Sequence, residues 1–266
     1  MKKINCLILV CLFVLLTGCA STSSNVGIGE NYEKNTTWEN KEMTTLNSRQ
    51  IEICKELELP TEYDELTDLQ QKSIVRIEEL LTYLDNKYNT TFHYLGYSQS
   101  SVLEDEWLRA YSDELNEYYF TTLNVSEDGS YSDDYLDVVS KSVLEIYASN
   151  YLNELFPNEF KVFALECRYN GATVPSEMSD FKDNASLTVD VFVKGKNNFN
   201  NLTRYADKLV AWYREYKIIG YVNFIMVSDE YFNNVTVNNF RNALINDETE
   251  ISLNCDIYEN GEYKIY

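Results

Sequence analysis

A single histidine, His93, stands in this 266-residue chain, and that scarcity excludes more chemistry than any other feature of the composition. A zinc site built on several imidazoles is ruled out, and histidine-dependent hydrolysis would hang on one residue. Glycine is scarce as well, at nine. Neither G-x-x-x-x-G-K-S/T nor G-x-G-x-x-G occurs, so a glycine-rich phosphate cradle has no support. Basic residues number 22 against 43 acids, a formal charge of −21. Such a surface repels nucleic acid and anionic lipid, and no nucleic-acid partner is expected. No apolar run reaches the ~20 residues that a membrane-spanning helix needs. Proline is low at three, whereas tyrosine at 22 and phenylalanine at 12 are high. Aromatics this frequent can form a core, so disorder is not expected past the first 47 residues.

The longest apolar run lies at the start. Lys2-Lys3 form a positive region, Ile4 to Leu16 an apolar one, and Leu16-Thr17-Gly18-Cys19 closes it. This ending resembles the lipobox of bacterial lipoproteins. The resemblance implies cleavage before Cys19, a diacylglyceryl thioether on its sulfur, and a protein held on a membrane outside the cytoplasm. Two acyl chains suffice for stable anchoring, each buried CH₂ contributing ~0.8 kcal/mol. The first 18 residues carry two lysines and no acid, so the remainder would carry −23. Residues 19–47 are polar and lack periodicity apart from Tyr32, Trp38 and Met43, and read as a flexible tether with an r.m.s. reach of ~30 Å.

The pattern beyond the tether predicts an α+β body of long helices on antiparallel or mixed sheets. It divides into a half at 48–130, helix plus three strands, and a larger half at 131–266. Ser48 to Leu57 is a short helix. Thr67-x-x-Gln70 is a capping-box signature opening a helix to Lys87, with Leu69, Ile74, Ile77, Leu81, Leu84 and Tyr88 as its apolar stripe. Strands are expected over Thr91–Ser98, Trp107–Ser112 and Tyr118–Val125. Asp128-Gly129 marks a turn. Ser132 would then cap a helix to Leu155 whose apolar face is Leu136, Val139, Val143, Ile146 and Tyr147. Phe160–Tyr169 and Leu187–Val193 read as strands. Asn201 would cap a helix over Leu202–Tyr216, stopped by Gly220, and Tyr221–Ser228 would complete a β-α-β crossover. Val237–Ile245 leans towards a short helix. The end reads as a hairpin with a two-residue turn at Asn260-Gly261, setting Glu259 against Glu262. The two halves share a helix-then-meander order. Segments such as Tyr83-Leu84-Asp85, Trp107–Tyr111 and Asp133-Asp134-Tyr135-Leu136 look like parts of uncharacterised secreted or lipid-anchored bacterial proteins, a resemblance that implies no activity.

Candidate chemistry is thin. Asn124-x-Ser126-x-Asp128-Gly129 resembles the first half of a calcium loop, with alternating oxygens before a glycine, so Ca²⁺ is a candidate cofactor. The twelfth position is Tyr135, where a bidentate Glu belongs, and a tight turn explains the same residues without an ion. Trp107, Tyr111 and Tyr118 stand in an aromatic crowd that could bind sugars or a peptide. Ser179-x-x-Lys182 matches a serine-nucleophile motif without its companion K-T-G. Glu78-Glu79 and Glu104-Asp105-Glu106 read as solvated faces, although paired carboxylates could serve a glycosidase. Cys54, Cys167 and Cys255 allow one internal disulfide; Cys167 and Cys255 could pair if their strands adjoin. These features favour a non-enzymatic surface lipoprotein that binds an envelope protein or glycan. The alternatives are a carboxylate-dependent wall or glycan hydrolase and a calcium-dependent adhesion or sensor module. For the anchor, Cys19→Ala is expected to release the protein from membranes and abolish metabolic acyl labelling; labelling that persists would refute it.

Overall fold

The structure, a computed structural model, describes residues 45–102, 104–115, 117–195, 199–244 and 249–266. The expected signal segment, Cys19 and the expected tether as far as residue 44 lie outside the described residues. Residues Met43–Tyr266 form one compact unit. Its architecture is α+β, with a four-stranded and a five-stranded sheet. Among the described residues no helix is long and apolar enough to cross a membrane.

Local signals set the first helices. In α1 (Ser48–Glu56) the Asn47 side chain and Gln50 form a capping box. In α2 (Asp68–Tyr88) Thr67 and Gln70 form the expected one. The buried stripe of α2 is Ile74, Ile77, Leu80, Leu81 and Leu84; Leu69, expected in it, is 55% exposed because it sits in the first turn, off that face. This stripe covers an antiparallel meander of β1 (Phe92–Ser98), β2 (Glu106–Ser112), β3 (Thr121–Val125) and β4 (Tyr131–Asp133). Strand β3 starts at Thr121 rather than Tyr118. Strand β4 carries the first sheet past the expected boundary at 130.

Ser132 therefore lies in a strand, and α3 (Tyr135–Leu155) begins three residues later. Pairing with Asn124 of β3 outcompetes the capping role that Ser132 could have played. The Asp133 carboxylate instead accepts the Tyr135 N–H at 3.2 Å. The apolar face of α3 also differs from expectation: Ile146 is 56% exposed, while Tyr135, Val138, Leu144, Ala148 and Leu152 are buried. The helix touches two cores. Tyr135 and Val139 pack under the first sheet, Leu144, Ala148 and Leu152 under the second, and Val143 against both.

The second sheet holds β5 (Phe160–Tyr169), β6 (Ala185–Lys194), β7 (Ile219–Val227), β8 (Thr249–Ile257) and β9 (Tyr263–Ile265) in that order. Only β6 and β7 are parallel, joined through α4 (Phe199–Glu215) as the expected crossover. Asn201 falls inside α4 rather than at its cap. The helix is closed by Lys217 in the left-handed region, with Ile218 N–H donating to the Tyr213 carbonyl and Lys217 N–H to that of Arg214. Gly220 is thus no helix stop. It lies in β7 at φ 152°, where a Cβ would stand 1.9 Å from the Leu187 carbonyl oxygen. The Val237–Ile245 expectation is met by a 3-10 segment over Phe240–Leu244. With α5 (Asp229–Asn234), its Phe240 covers the far face of β6 at Phe192.

The last hairpin has a three-residue loop. Tyr258 N–H donates to Glu262 O, Gly261 N–H donates to Tyr258 O, and Gly261 sits at φ 75°. Tyr258 therefore faces Glu262, and the expected Glu259–Glu262 opposition does not arise. Cys167 pairs with Leu187 and Cys255 with Val222, which puts β6 and β7 between the two thiols. Both are buried and free, as is Cys54.

Carboxylates of α3 and of Asp134, its N-cap, finish backbone bonds that the sheets leave open. Strand β5 is an edge, yet its Ala164 N–H donates to Glu145 at 2.6 Å and its Tyr169 N–H to Asp137 at 2.7 Å. Strand β3 runs past the end of β4, and the Thr122 N–H donates to Asp134 at 2.7 Å. The Tyr119 hydroxyl, from the loop before β3, donates to the other oxygen of Glu145 at 2.7 Å. Leaving such a backbone N–H buried without an acceptor would cost about 1–3 kcal/mol. Burial pushes the Glu145 carboxyl above its ordinary range, against the opposing pull of the Ala164 N–H and Tyr119 hydroxyl. A raised native pKa means that stability falls as pH rises through it, because the folded state must ionise a buried group. The advantage of wild type over Glu145→Gln should therefore be largest near pH 4 and shrink by about pH 7, read by urea unfolding at each pH. An advantage that grows with pH would contradict this.

Candidate functional site

Alternation along β2 sends Leu108 and Ala110 into the core and Trp107, Arg109 and Tyr111 to the opposite, outer face. Register then fixes their neighbours. Trp107 lies in a row with Ser98 and Asn124, the latter paired with Ser132 on β4; Arg109 lies beside Thr122, and Tyr111 beside His93. The Arg109 guanidinium stands over the Trp107 ring at 4.8 Å and over the Phe120 ring at 5.3 Å from their centroids. His93 stacks on Tyr111 with centroids 5.1 Å apart. The indole lies against Gly96, where a Cβ would make an ordinary contact 3.6 Å from the Trp107 ring.

No outward strand position of this sheet carries an acid. The strand carboxylates, Glu106 and Asp133, point inward. Glu106 accepts two bonds from Arg76, at 2.9 and 2.8 Å, and one from the Tyr97 hydroxyl at 2.8 Å. Burial alone would raise its pKa, but the guanidinium and the hydroxyl bring it below the usual carboxylate range. Asp133 holds Lys87 at 2.7 Å and the Tyr88 hydroxyl at 2.6 Å. At one end of the face, Asp113 meets His93 Nε2 at 2.5 Å, and that contact lowers its pKa.

Of the expected aromatic site, Trp107 and Tyr111 share this face, while Tyr118 sits in the β2–β3 connection, 45% exposed. Phe120, a member of the same expected aromatic crowd, joins the face beside Arg109, and Arg109 and His93 are the additions that the aromatics alone do not indicate. The sequence signal was the alternation Trp107-x-Arg109-x-Tyr111 itself.

Asn124, Ser126 and Asp128 are placed by a hairpin. Ser126 N–H donates to Ser130 O at 3.0 Å, Gly129 N–H to Ser126 O at 2.8 Å, and Ser130 N–H to Asp128 Oδ1 at 2.9 Å. The Ser130 hydroxyl, and after it the Ser130 N–H, hold the Asp128 carboxyl below its usual range. The β8–β9 loop repeats the pattern, with Glu262 N–H on Asn260 Oδ1 at 2.9 Å and glycine next. A neutral Asn performs there what Asp128 performs here. Asn124 projects beside Trp107 on the outer face. Among the described residues no cluster of three or more acidic, Cys or His groups could hold a metal ion.

A cavity of about 620 Å³ is lined by Lys87, Tyr88, Asp133, Asp134, Asp137 and Tyr169, among others. Burial raises the Asp134 pKa, opposed by the Thr122 N–H. Its three carboxylates hold Lys87, Tyr88 and backbone N–H groups, so each already serves a structural bond. Glu78, expected to be solvated, is half-buried against Arg49 at 2.7 Å, and Glu79 meets Arg76 at 3.2 Å. Ser179 donates to Glu177 at 2.5 Å on the 3-10 turn Met178–Phe181, with Lys182 outside it. Burial pushes the Cys167 thiol to about 12 and Cys255 to about 11, which keeps both protonated at neutral pH.

No protein-family model matches the chain, and no curated protein matches it. A crystal structure of a DUF5037 family protein from Ruminococcus gnavus ATCC 29149 superposes with a TM-score of 0.41 at 10% identity, over 70% of this chain and 93% of its own.

Proposed function

We propose that this chain is a lipid-anchored protein of a bacterial envelope whose folded body is a non-enzymatic binding module, with the outer face of β1–β4 as its binding surface. Cys19 would tether it and the segment after it would hold the body off the lipid. One observation carries the choice of surface: in a chain of 43 acids, the strands of the first sheet turn their carboxylates inward and present rings, one guanidinium and neutral amide and hydroxyl groups outward. Rings with polar neighbours are what recognition surfaces use, because they supply contact area at little cost in conformational freedom. The cavity beside α3 offers carboxylates instead, and those are bound to backbone and cations of the same chain.

The test uses the full chain in detergent micelles against immobilised envelope glycans and proteins. Wild type is expected to bind, and Trp107→Ala to weaken binding about tenfold or more, a loss of ~1.4 kcal/mol, with an unchanged melting temperature. Binding indifferent to Trp107→Ala would remove the face from consideration. Release of reducing ends from wall glycans, abolished by Asp134→Asn, would replace the binding reading with the hydrolase.

A further inference from the structure

Arg49, Arg76 and Arg168 each hold carboxylates of this chain. Arg109 does not. Among the described residues its guanidinium meets only the Trp107 and Phe120 rings, and it is exposed. Two rings hold the guanidinium in place, and its donor fork suits a planar, two-oxygen acceptor, the geometry of a carboxylate. Neighbouring strand positions supply no competing acid. They supply Thr122, Asn124 and Ser98, neutral groups that can bond hydroxyls. The face is a sheet surface, separate from the cavity beside α3. A peptide would more readily add at a sheet edge, but the β1 edge is interrupted by an irregularity between Tyr94 and Gly96.

Resting on the reading of this face as the binding surface, we infer that its occupant is an acidic oligosaccharide whose carboxylate is read by Arg109. A flat ring of C–H groups lies on Trp107 or Tyr111, its hydroxyls meet the amide and hydroxyl side chains, and its uronate or sialate carboxylate takes the guanidinium fork. The chain's net charge of −21 repels such a ligand at a distance. At about 0.15 M salt that repulsion is screened beyond ~8 Å, and the surroundings of Arg109, whose neighbouring strand positions carry no acid, decide the contact.

Titration calorimetry of the full chain in micelles tests this with oligogalacturonate, oligoglucuronate and sialyl-oligosaccharide probes beside their carboxyl-reduced, neutral counterparts, each variant being checked for an unchanged melting temperature. At least one acidic probe is expected to bind at least about tenfold more tightly than its neutral counterpart. Arg109→Ala should erase that preference, Arg109→Lys should keep part of it, and Trp107→Ala should weaken acidic and neutral probes alike. Equal affinity for acidic and neutral probes, binding of none of the acidic probes, an acidic preference that survives Arg109→Ala, or capture of an acidic peptide in place of every glycan overturns the inference. If Arg109→Ala is without effect while Trp107→Ala still abolishes binding, the face stands and only its ligand class is wrong. If Trp107→Ala is also without effect, both readings fall.

Discussion

The body depends on three carboxylates of one region accepting backbone N–H groups from two different sheets. Asp134 takes the Thr122 N–H of the first sheet, while Asp137 and Glu145 take those of Tyr169 and Ala164 on the edge of the second. A buried backbone donor without a partner costs as much as a lost hydrogen bond, so each sheet is finished only when α3 is in place. The same bonds blunt the exposed edge of β5, which would otherwise offer a template for pairing with another chain. Glu145 does double duty, since the hydroxyl of Tyr119 reaches it from the connection that leads into β3. The loop that ends in Phe120 and Arg109's second ring is thereby fastened to the centre of the molecule.

That arrangement explains where an acidic chain puts its charge. Glu106 and Asp133 are drawn inward by Arg76, Lys87 and Tyr88 of α2, and Glu78 by Arg49 of α1. Ion pairs at half-buried sites are modest in energy, but their direction matters here. Every acid recruited beneath the first sheet is one absent from its outer surface. What is left outside is a neutral to basic patch on a molecule that is otherwise strongly negative, with an arginine stacked on rings rather than neutralised. Charge segregation of this kind steers partner choice more than it adds stability.

Much of the fold was legible because its signals are local. The capping box at Thr67 and Gln70, the turn glycines at Gly129 and Gly261, and the strict alternation of Leu187 to Val193 each act within a few residues. The errors came where a distant partner decided. Ser132 has the chemistry of a helix cap, but β3 claims it as a strand residue. The apolar face of α3 could not be read from one periodicity, because the helix serves two cores in succession. Lys217 closes α4 in a conformation usually left to glycine, which freed Gly220 for the close approach of β7 to Leu187. At the candidate site, Trp107 and Tyr111 were visible as aromatics. Arg109 was invisible as a free donor because its lack of a partner depends on Glu106 finding Arg76, 30 residues away, on the other side of the sheet.

The account stands on α3 joining both sheets into one cooperative body that holds the outer face of the first. Urea unfolding of the full chain, followed through Trp107 in one variant and through Trp212 in another, with the other two tryptophans replaced by phenylalanine in each, tests that claim most directly. Trp107 reports the first sheet and Trp212 the core under the second. One midpoint and one slope shared by the two reporters is the predicted result. A Trp107 transition that runs ahead of the Trp212 transition would contradict it, since the first sheet would then fold and melt without the helix that is held to complete it.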